Sequence, residues 1–393
     1  MDFILQLARS VRRITLRPKS GLATLTTNDG FEHTLPLGPP ANGERINIVR
    51  FSYDLGGSLA QIETADGLSM EIEMPRLGQE QEPPICGRPI VYLDQCHWSA
   101  LSNHEYRPEV VPEKDRAAVE RITNMALSGE IIVPFSAGHF LETSALYGVK
   151  RISLASTMIR LSRGWRMRHP VRIRMSEIRE VLTAKAGGIR LPDETPVITL
   201  DATALFQDRI EPQTGPGDLA ALGNMIEQLS TTQAQYDILL DPDRVESRRT
   251  SEWEDHLRRI SRDAEWRDLS KDRRRRASGG LALTDVIHEV MRVVSVSRID
   301  LTPEEVTEVL VNSLADMPFV GLYADVLNAR LSKFEAKWEA NDLVDMLFLT
   351  SAAAYADVVV GERMATNYLN EAWTGREEAC PVVRTLRDAA DRL

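Results

Sequence analysis

At 393 residues the chain has room for two domains, or for one domain with a large insertion. Charged residues make up 27% and hydrophobic residues 43%, the ordinary balance of a folded soluble protein. A net charge of −11 argues against indiscriminate nucleic-acid binding, although the arginines are clustered. Cys86, Cys96 and Cys380 are too few and too dispersed for a disulfide framework or a zinc finger, so a reducing, cytoplasmic setting is expected. The N-terminus places an acid before a short apolar stretch and basic residues after it, the wrong order for a secretory signal. No later apolar run is long enough to span a bilayer.

Residues 1–85 are expected to be a β-rich module, a small antiparallel sheet or barrel. Short alternating runs at 14–17, 23–27 and 31–35 surround an Asn-Asp-Gly turn at 28–30. A second set at 46–53, 59–64 and 68–74 surrounds Ala-Asp-Gly at 65–67. Residues 78–84 read as a linker, and no internal repeat is evident. From residue 86 onward the pattern becomes single apolar strands alternating with helices, which predicts an α/β domain on a parallel sheet. Strands are predicted at 90–93 and 131–134, and helices from 98, over 114–129 and over 138–147. Between about 150 and 335 helical patterns dominate, too long a stretch for a loop, and predict a helical insertion. A helix at 342–355, a strand at 357–360, a helix near 364–373 and a strand at 381–384 resume the core.

Acidic residues recur at the ends of these predicted elements: Asp94, Glu142, Asp342 with Asp345, and Asp357 with Glu362. A carboxylate at the end of a buried apolar run is costly to desolvate unless positive charge sits on it. Several such groups at one sheet edge would form a site for a hard cation, Mg²⁺ or Mn²⁺. That chemistry points to metal-assisted cleavage of a phosphodiester.

Three patches carry a family resemblance: Tyr-Leu-Asp-Gln-Cys-His-Trp at 92–98, Ile-Val-Pro-Phe-Ser-Ala-Gly-His-Phe-Leu-Glu-Thr at 132–143, and the stretch from Asn341 through Tyr355, Asp357 and residues 358–360 to Arg363. Together they resemble a PIN-like domain. The resemblance covers under a third of the chain and leaves residues 1–85 and most of the insertion unexplained. It implies a Rossmann-like α/β nuclease, usually an endoribonuclease using Mg²⁺ or Mn²⁺, with RNA as its partner. Many relatives carry an Asp after a Thr at the end of the last strand, where this chain has Gly361-Glu362-Arg363. The fourth acid is therefore Asp357 or Glu362, and Asp342 competes with Asp345 in the same way. Two cations about 4 Å apart would hold the attacking water and the leaving oxygen. Asp94 is then the candidate bridging ligand, Glu142 and Asp345 flank it, and Asp357 or Glu362 serves the second metal or orients water. Two other readings stay open: a catalytically inactive scaffold binding RNA or a protein partner, and a DNA-directed nuclease in defence.

Other residues are less specific. Ser136 could contact a ligand or phosphate. His97 and His104 are seven apart but lack a third nitrogen or sulfur ligand nearby, so zinc is not expected, and Cys96 reads as a small buried filler. The arginines at 160–174, with Arg163, Trp165, Arg166, Arg168 and Arg172 as contacts, could form an RNA-binding face or a solvated helix face. Residues 273–276, four arginines beside Ser-Gly-Gly, read as an exposed mobile loop. The chain lacks a phosphate-binding loop and a serine-hydrolase elbow.

Overall fold

The computed structural model describes residues 9–37, 46–75, 85, 87–186, 196–208, 217–243, 252–335, 338, 342–374 and 379–393. The linker expected at 78–84 lies outside the described residues. The fold is mixed α/β, with a six-stranded antiparallel sheet, a three-stranded parallel sheet and many helices. Among the described residues no helix is long and apolar enough to cross a membrane.

The chain divides into two compact units. The first comprises Met1–Ile90, Trp98–Met167 and Ile198–Glu246, and the second Val91–His97, Arg168–Val197 and Ser247–Leu393. This division differs from a boundary at residue 85 followed by one insertion at 150–335. The helices of that stretch are shared between the units, because a sheet with one apolar face must bury it against something.

In the first unit, β1 (Val11–Arg17), β2 (Leu22–Thr27), β3 (Glu32–Pro36), β4 (Ile48–Asp54), β5 (Leu59–Thr64) and β6 (Ser69–Glu73) form the sheet in the order β3-β2-β1-β4-β5-β6. It is an open sheet and contains a repeat. Leu25 pairs with His33 as Ile62 pairs with Met70, and Ala23 pairs with Leu35 as Ala60 pairs with Ile72. Both halves turn in the same way, with the Thr27 amide on the Phe31 carbonyl and the Thr64 amide on the Leu68 carbonyl. Gly30 and Gly67 supply the left-handed residue each turn requires (φ 89° and 86°). At the matching edge positions the halves diverge. The Glu73 amide donates to the Arg163 carbonyl at 2.7 Å, whereas Pro36 has no amide and blunts the β3 edge.

The sheet is anchored by Asp237 on the Gly217–Leu240 helix, whose carboxylate accepts the Asn47 and Ile48 amides at 2.8 Å each. Glu73 accepts from Arg88, Arg163 and the Trp165 indole at 3.0–3.1 Å. The Glu113–Ser128 and Ala137–Ser144 helices fall where the sequence predicts them. The strand expected at 131–134 is reduced to single parallel bridges, Ile90 to Ile132 and Phe135 to Arg166.

In the second unit, β7 (Val91–Leu93) pairs in parallel with a central strand that runs Val358–Val360. Two short strands the sequence did not signal, β8 (Arg166–Met167) and β9 (Ile198–Thr199), pair antiparallel in the first unit. The central strand is β10, and β11 (Val382–Val383) completes the parallel order β11-β10-β7. The Arg363–Trp373 helix makes the β10-to-β11 crossover that parallel pairing demands. A helical core surrounds Ile178, Leu182, Val290, Val293, Val309 and Val320. There the Pro318–Leu331 helix packs on Lys271–Asp285 and on Asp342–Tyr355. Residues 273–276, expected in a mobile loop, lie in the first turns of the Lys271–Asp285 helix. Ser270 caps that helix by accepting the Arg273 amide, which overrides the loop signal of Ser-Gly-Gly.

Candidate metal centre

All three strands of the parallel sheet are buried and apolar. Their C-terminal ends are therefore the first places where polar side chains can appear. Val360 pairs with Leu93, so the next residues on each strand, Asp94 and Gly361-Glu362, emerge side by side. The Asp94 amide continues the ladder to the Val360 carbonyl at 2.8 Å. Its carboxylate accepts the Gln95 amide at 2.7 Å on Oδ1 and the Glu362 amide at 3.2 Å on Oδ2. Burial pushes the Asp94 carboxyl above the ordinary carboxylate value, against the opposing pull of those two amides.

Asp94, Asp342, Asp345 and Glu362 line one cleft, together with Arg330 and Tyr368. Asp342 and Asp345 share the first turn of the Asp342–Tyr355 helix, but their surroundings differ. The Asp342 carboxylate accepts from the Arg330 guanidinium at 2.8 Å, and the pair is almost entirely buried. Arg330 also stacks over Trp338 at 4.0 Å and Tyr368 at 5.8 Å. Asp342 is thus the counter-ion of a buried arginine and is poorly suited to hold a metal as well. Asp345 is half-buried. The cleft holds four carboxylates and one guanidinium, a formal excess of three negative charges.

Cys96 joins this group. One ligand atom each from Asp94, Cys96 and Glu362 lies within 4.8 Å of the others. Burial of the sulfur, then the charges of Asp94 and Glu362, push the Cys96 thiol up to about 12. The reading of Cys96 as a small buried filler fails because the residue is exposed on the first turn of the helix that begins at Gln95; only its spacing of two from Asp94 hinted at this. His97 lies outside the group. Burial holds its pKa below the ordinary value, opposed by a hydrogen bond to the Gly361 backbone and by the charge of Glu362.

Asp357 precedes β10 and is exposed, whereas Glu362 follows it. At about 3.3 Å per residue the strand separates them by roughly 16 Å, so Asp357 sits at the wrong edge to join Asp94. Its charge acts on Cys380, whose thiol is pushed up to about 12, chiefly by burial. Glu142 stands half-buried on the Ala137–Ser144 helix of the first unit. Ser136 is buried and caps that helix in a reciprocal box with His139, a structural role in place of the expected ligand contact.

The arginine-rich segment at 160–174 does not form the expected RNA-binding face. Trp165, Arg166, Arg168 and Arg172 are all less than 5% exposed, so they cannot stack on bases or reach phosphates. Arg166 donates to the Gly164 and Leu200 carbonyls and to Thr232, and it lies over Phe135 and Tyr236. Arg163 turns through a left-handed conformation and spends its guanidinium on Glu73 and the Leu127 carbonyl. These side chains act as internal struts because the burial of Glu73 and of several carbonyls required donors.

No family model, curated protein or solved structure matches this chain.

Proposed function

We propose that the second unit carries a PIN-like metal-dependent nuclease centre that hydrolyses phosphodiester bonds, most simply as an endoribonuclease. The observation that supports this reading is the convergence of Asp94, Asp345 and Glu362 on one cleft at the C-terminal edge of a parallel sheet. Ligand sites in open α/β sheets fall at that edge. The donor set suits Mg²⁺ or Mn²⁺, because carboxylate oxygens are the preferred ligands of hard divalent cations. The Cys96 thiol beside them favours the softer Mn²⁺. A bound ion of this kind supplies Lewis acidity and lowers the pKa of water.

The chain's own residues divide the remaining work. Asp94, fixed by two amides, holds its carboxylate in one orientation at a cost in desolvation that a cation offsets. Glu362 and Asp345 approach from the Arg363–Trp373 and Asp342–Tyr355 helices and complete the acidic wall. Arg330, held by Asp342, Trp338 and Tyr368, is the fixed cation of the cleft. At 1% exposure it reaches no phosphate, and its part is to neutralise Asp342 within the wall.

The test is cleavage of labelled single-stranded RNA and DNA with Mn²⁺, with Mg²⁺ and with chelator, run beside Asp94→Asn. Metal-dependent cutting that the variant loses supports the reading and names the polymer. An undiminished rate in Asp94→Asn sinks it.

A further inference from the structure

Residues 258–276 carry nine cations and four carboxylates in a chain whose net charge is −11. Lys271, Arg273, Arg274, Arg275 and Arg276 lie in the first turns of the Lys271–Asp285 helix. That is the positive end of the helix dipole, and Arg273 and Arg276 are spaced three apart, so both dipole and neighbour repel added positive charge. Two members are satisfied internally. Arg275 forks onto Asp325 at 2.9 and 3.2 Å. Arg274 donates to the Arg267 and Leu269 carbonyls, and its guanidinium shares the Phe334 ring with that of Arg267, at 5.5 and 5.2 Å. Arg273 and Arg276 are exposed and, among the described residues, pair with no carboxylate. The same holds for Arg259 and Arg262 at the end of the Glu252–Arg262 helix.

The neighbouring Arg267 and Arg274 connect this surface to the acidic cleft along the chain. Phe334, clamped between Arg267 and Arg274, is four residues beyond Arg330, and four residues span at most about 14 Å. Resting on the nuclease reading, we infer that Arg259, Arg262, Arg273 and Arg276 form the track that holds the phosphates of a single-stranded RNA whose scissile bond lies in the cleft. An anionic backbone relieves the repulsion that Arg273 and Arg276 impose on each other and on the helix end, and the repulsion within the Arg259 and Arg262 pair. Arginine also binds phosphate bidentately.

The test measures binding of a labelled single-stranded RNA of roughly 16 nucleotides, the upper end of single-strand site sizes, in an Asp94→Asn background. Arg273→Gln/Arg276→Gln should weaken binding on the order of 10-fold at low salt. It should also reduce the slope of log affinity against log salt by about 1.4, two phosphates at about 0.7 each. Arg273→Lys/Arg276→Lys should keep most of the salt slope, because the charge is retained. Unchanged affinity and slope in the Gln variant overturn the inference, as does equal competition by poly-glutamate, which would assign the face to an acidic protein. Hydrolysis of bis(p-nitrophenyl) phosphate separates the two readings, since that small diester cannot reach the arginines. The Gln variant should cut it at the wild-type rate, and Asp94→Asn should not; loss in the Gln variant also overturns the inference. Undiminished hydrolysis by Asp94→Asn overturns the nuclease reading independently.

Discussion

The Glu362 amide donates to the Asp94 carboxylate at 3.2 Å, across 268 residues of sequence, while the Asp94 amide donates to Val360 at 2.8 Å. These two bonds extend the parallel pairing of β7 and β10 by one step beyond its last apolar pair, Leu93 and Val360. The sheet register therefore sets the distance between the two acids, and neither side chain needs to search for the other.

Asp94→Asn should lower metal-dependent cleavage by on the order of 100-fold or more, the scale of removing one electrostatic group from a catalytic site. Because burial raises the Asp94 pKa in the folded state, the ionised form is penalised. Its contribution to stability is favourable below the ordinary carboxylate value and lost as pH rises through the folded value. At neutral pH in chelator, Asn should therefore melt no lower than wild type. Thermal melts with and without Mn²⁺ check both halves: metal should stabilise the wild type and not the variant.

Asp342 and Asp345 should separate in behaviour. Asp342→Asn leaves the buried Arg330 without its counter-ion and should cost about 3 kcal/mol of stability. Asp345→Asn should leave the denaturant midpoint near wild type and weaken Mn²⁺ binding. Urea melts and calorimetric Mn²⁺ titration of both variants read the difference, and the reverse pattern would make Asp342 the ligand.

Cys96→Ser should narrow any preference for Mn²⁺ over Mg²⁺. Burial, then the charges of Asp94 and Glu362, push the thiol up to about 12, so an ion that takes the sulfur must displace its proton. Affinity gained through Cys96 then rises with pH, and the Ser variant should flatten that rise. Mn²⁺ affinity measured across pH 6–9, where no carboxylate titrates in its ordinary range, is the readout.

Glu73 offers a pH test of the first unit. Arg88, Arg163 and Trp165 hold its carboxyl below the ordinary value of 4.5, outweighing its burial. Its stabilisation is present above that value and is lost as pH falls through the lower folded value. Glu73→Gln should cost about 3 kcal/mol at pH 7 and flatten the acid limb of the stability profile, as denaturant melts from pH 7 to pH 3 would record.

Two glycines should respond in opposite directions. A Cβ on Gly321 would meet the Leu314 carbonyl oxygen at 2.2 Å, so Gly321→Ala must push the Pro318–Leu331 helix away from that backbone. Gly280 is exposed in the Lys271–Asp285 helix with nothing within 4 Å of its Cβ position, and Gly280→Ala should stabilise by about 0.5–1 kcal/mol. Thermal melts of both variants test the packing of these helices.

Sequence alone determined the local elements. The alternating runs and their Asp-Gly turns became β1 to β6 nearly residue for residue. The Asp342–Tyr355 helix and the β10 strand lie where periodicity put them, because period and turn chemistry are short-range properties. The repeat within the sheet was also present in the sequence, in Leu22-Ala23 against Leu59-Ala60 and in Thr27, Asp29 and Gly30 against Thr64, Asp66 and Gly67. It is visible only once the pairing register aligns the two halves. Tertiary structure decided the rest. Asp357 and Glu362 flank the same strand and look equivalent in sequence, yet strand direction sends them to opposite edges. Asp342 and Asp345 are one helical turn apart, and only the arrival of Arg330 from another helix distinguishes them. Burial overturned one arginine cluster and not the other: residues 163–172 became internal struts, while residues 273–276 are largely exposed as expected, on a helix in place of a loop. A guanidinium's charge is written in the sequence, but whether it faces a buried carboxylate or water depends on contacts made by residues far away along the chain.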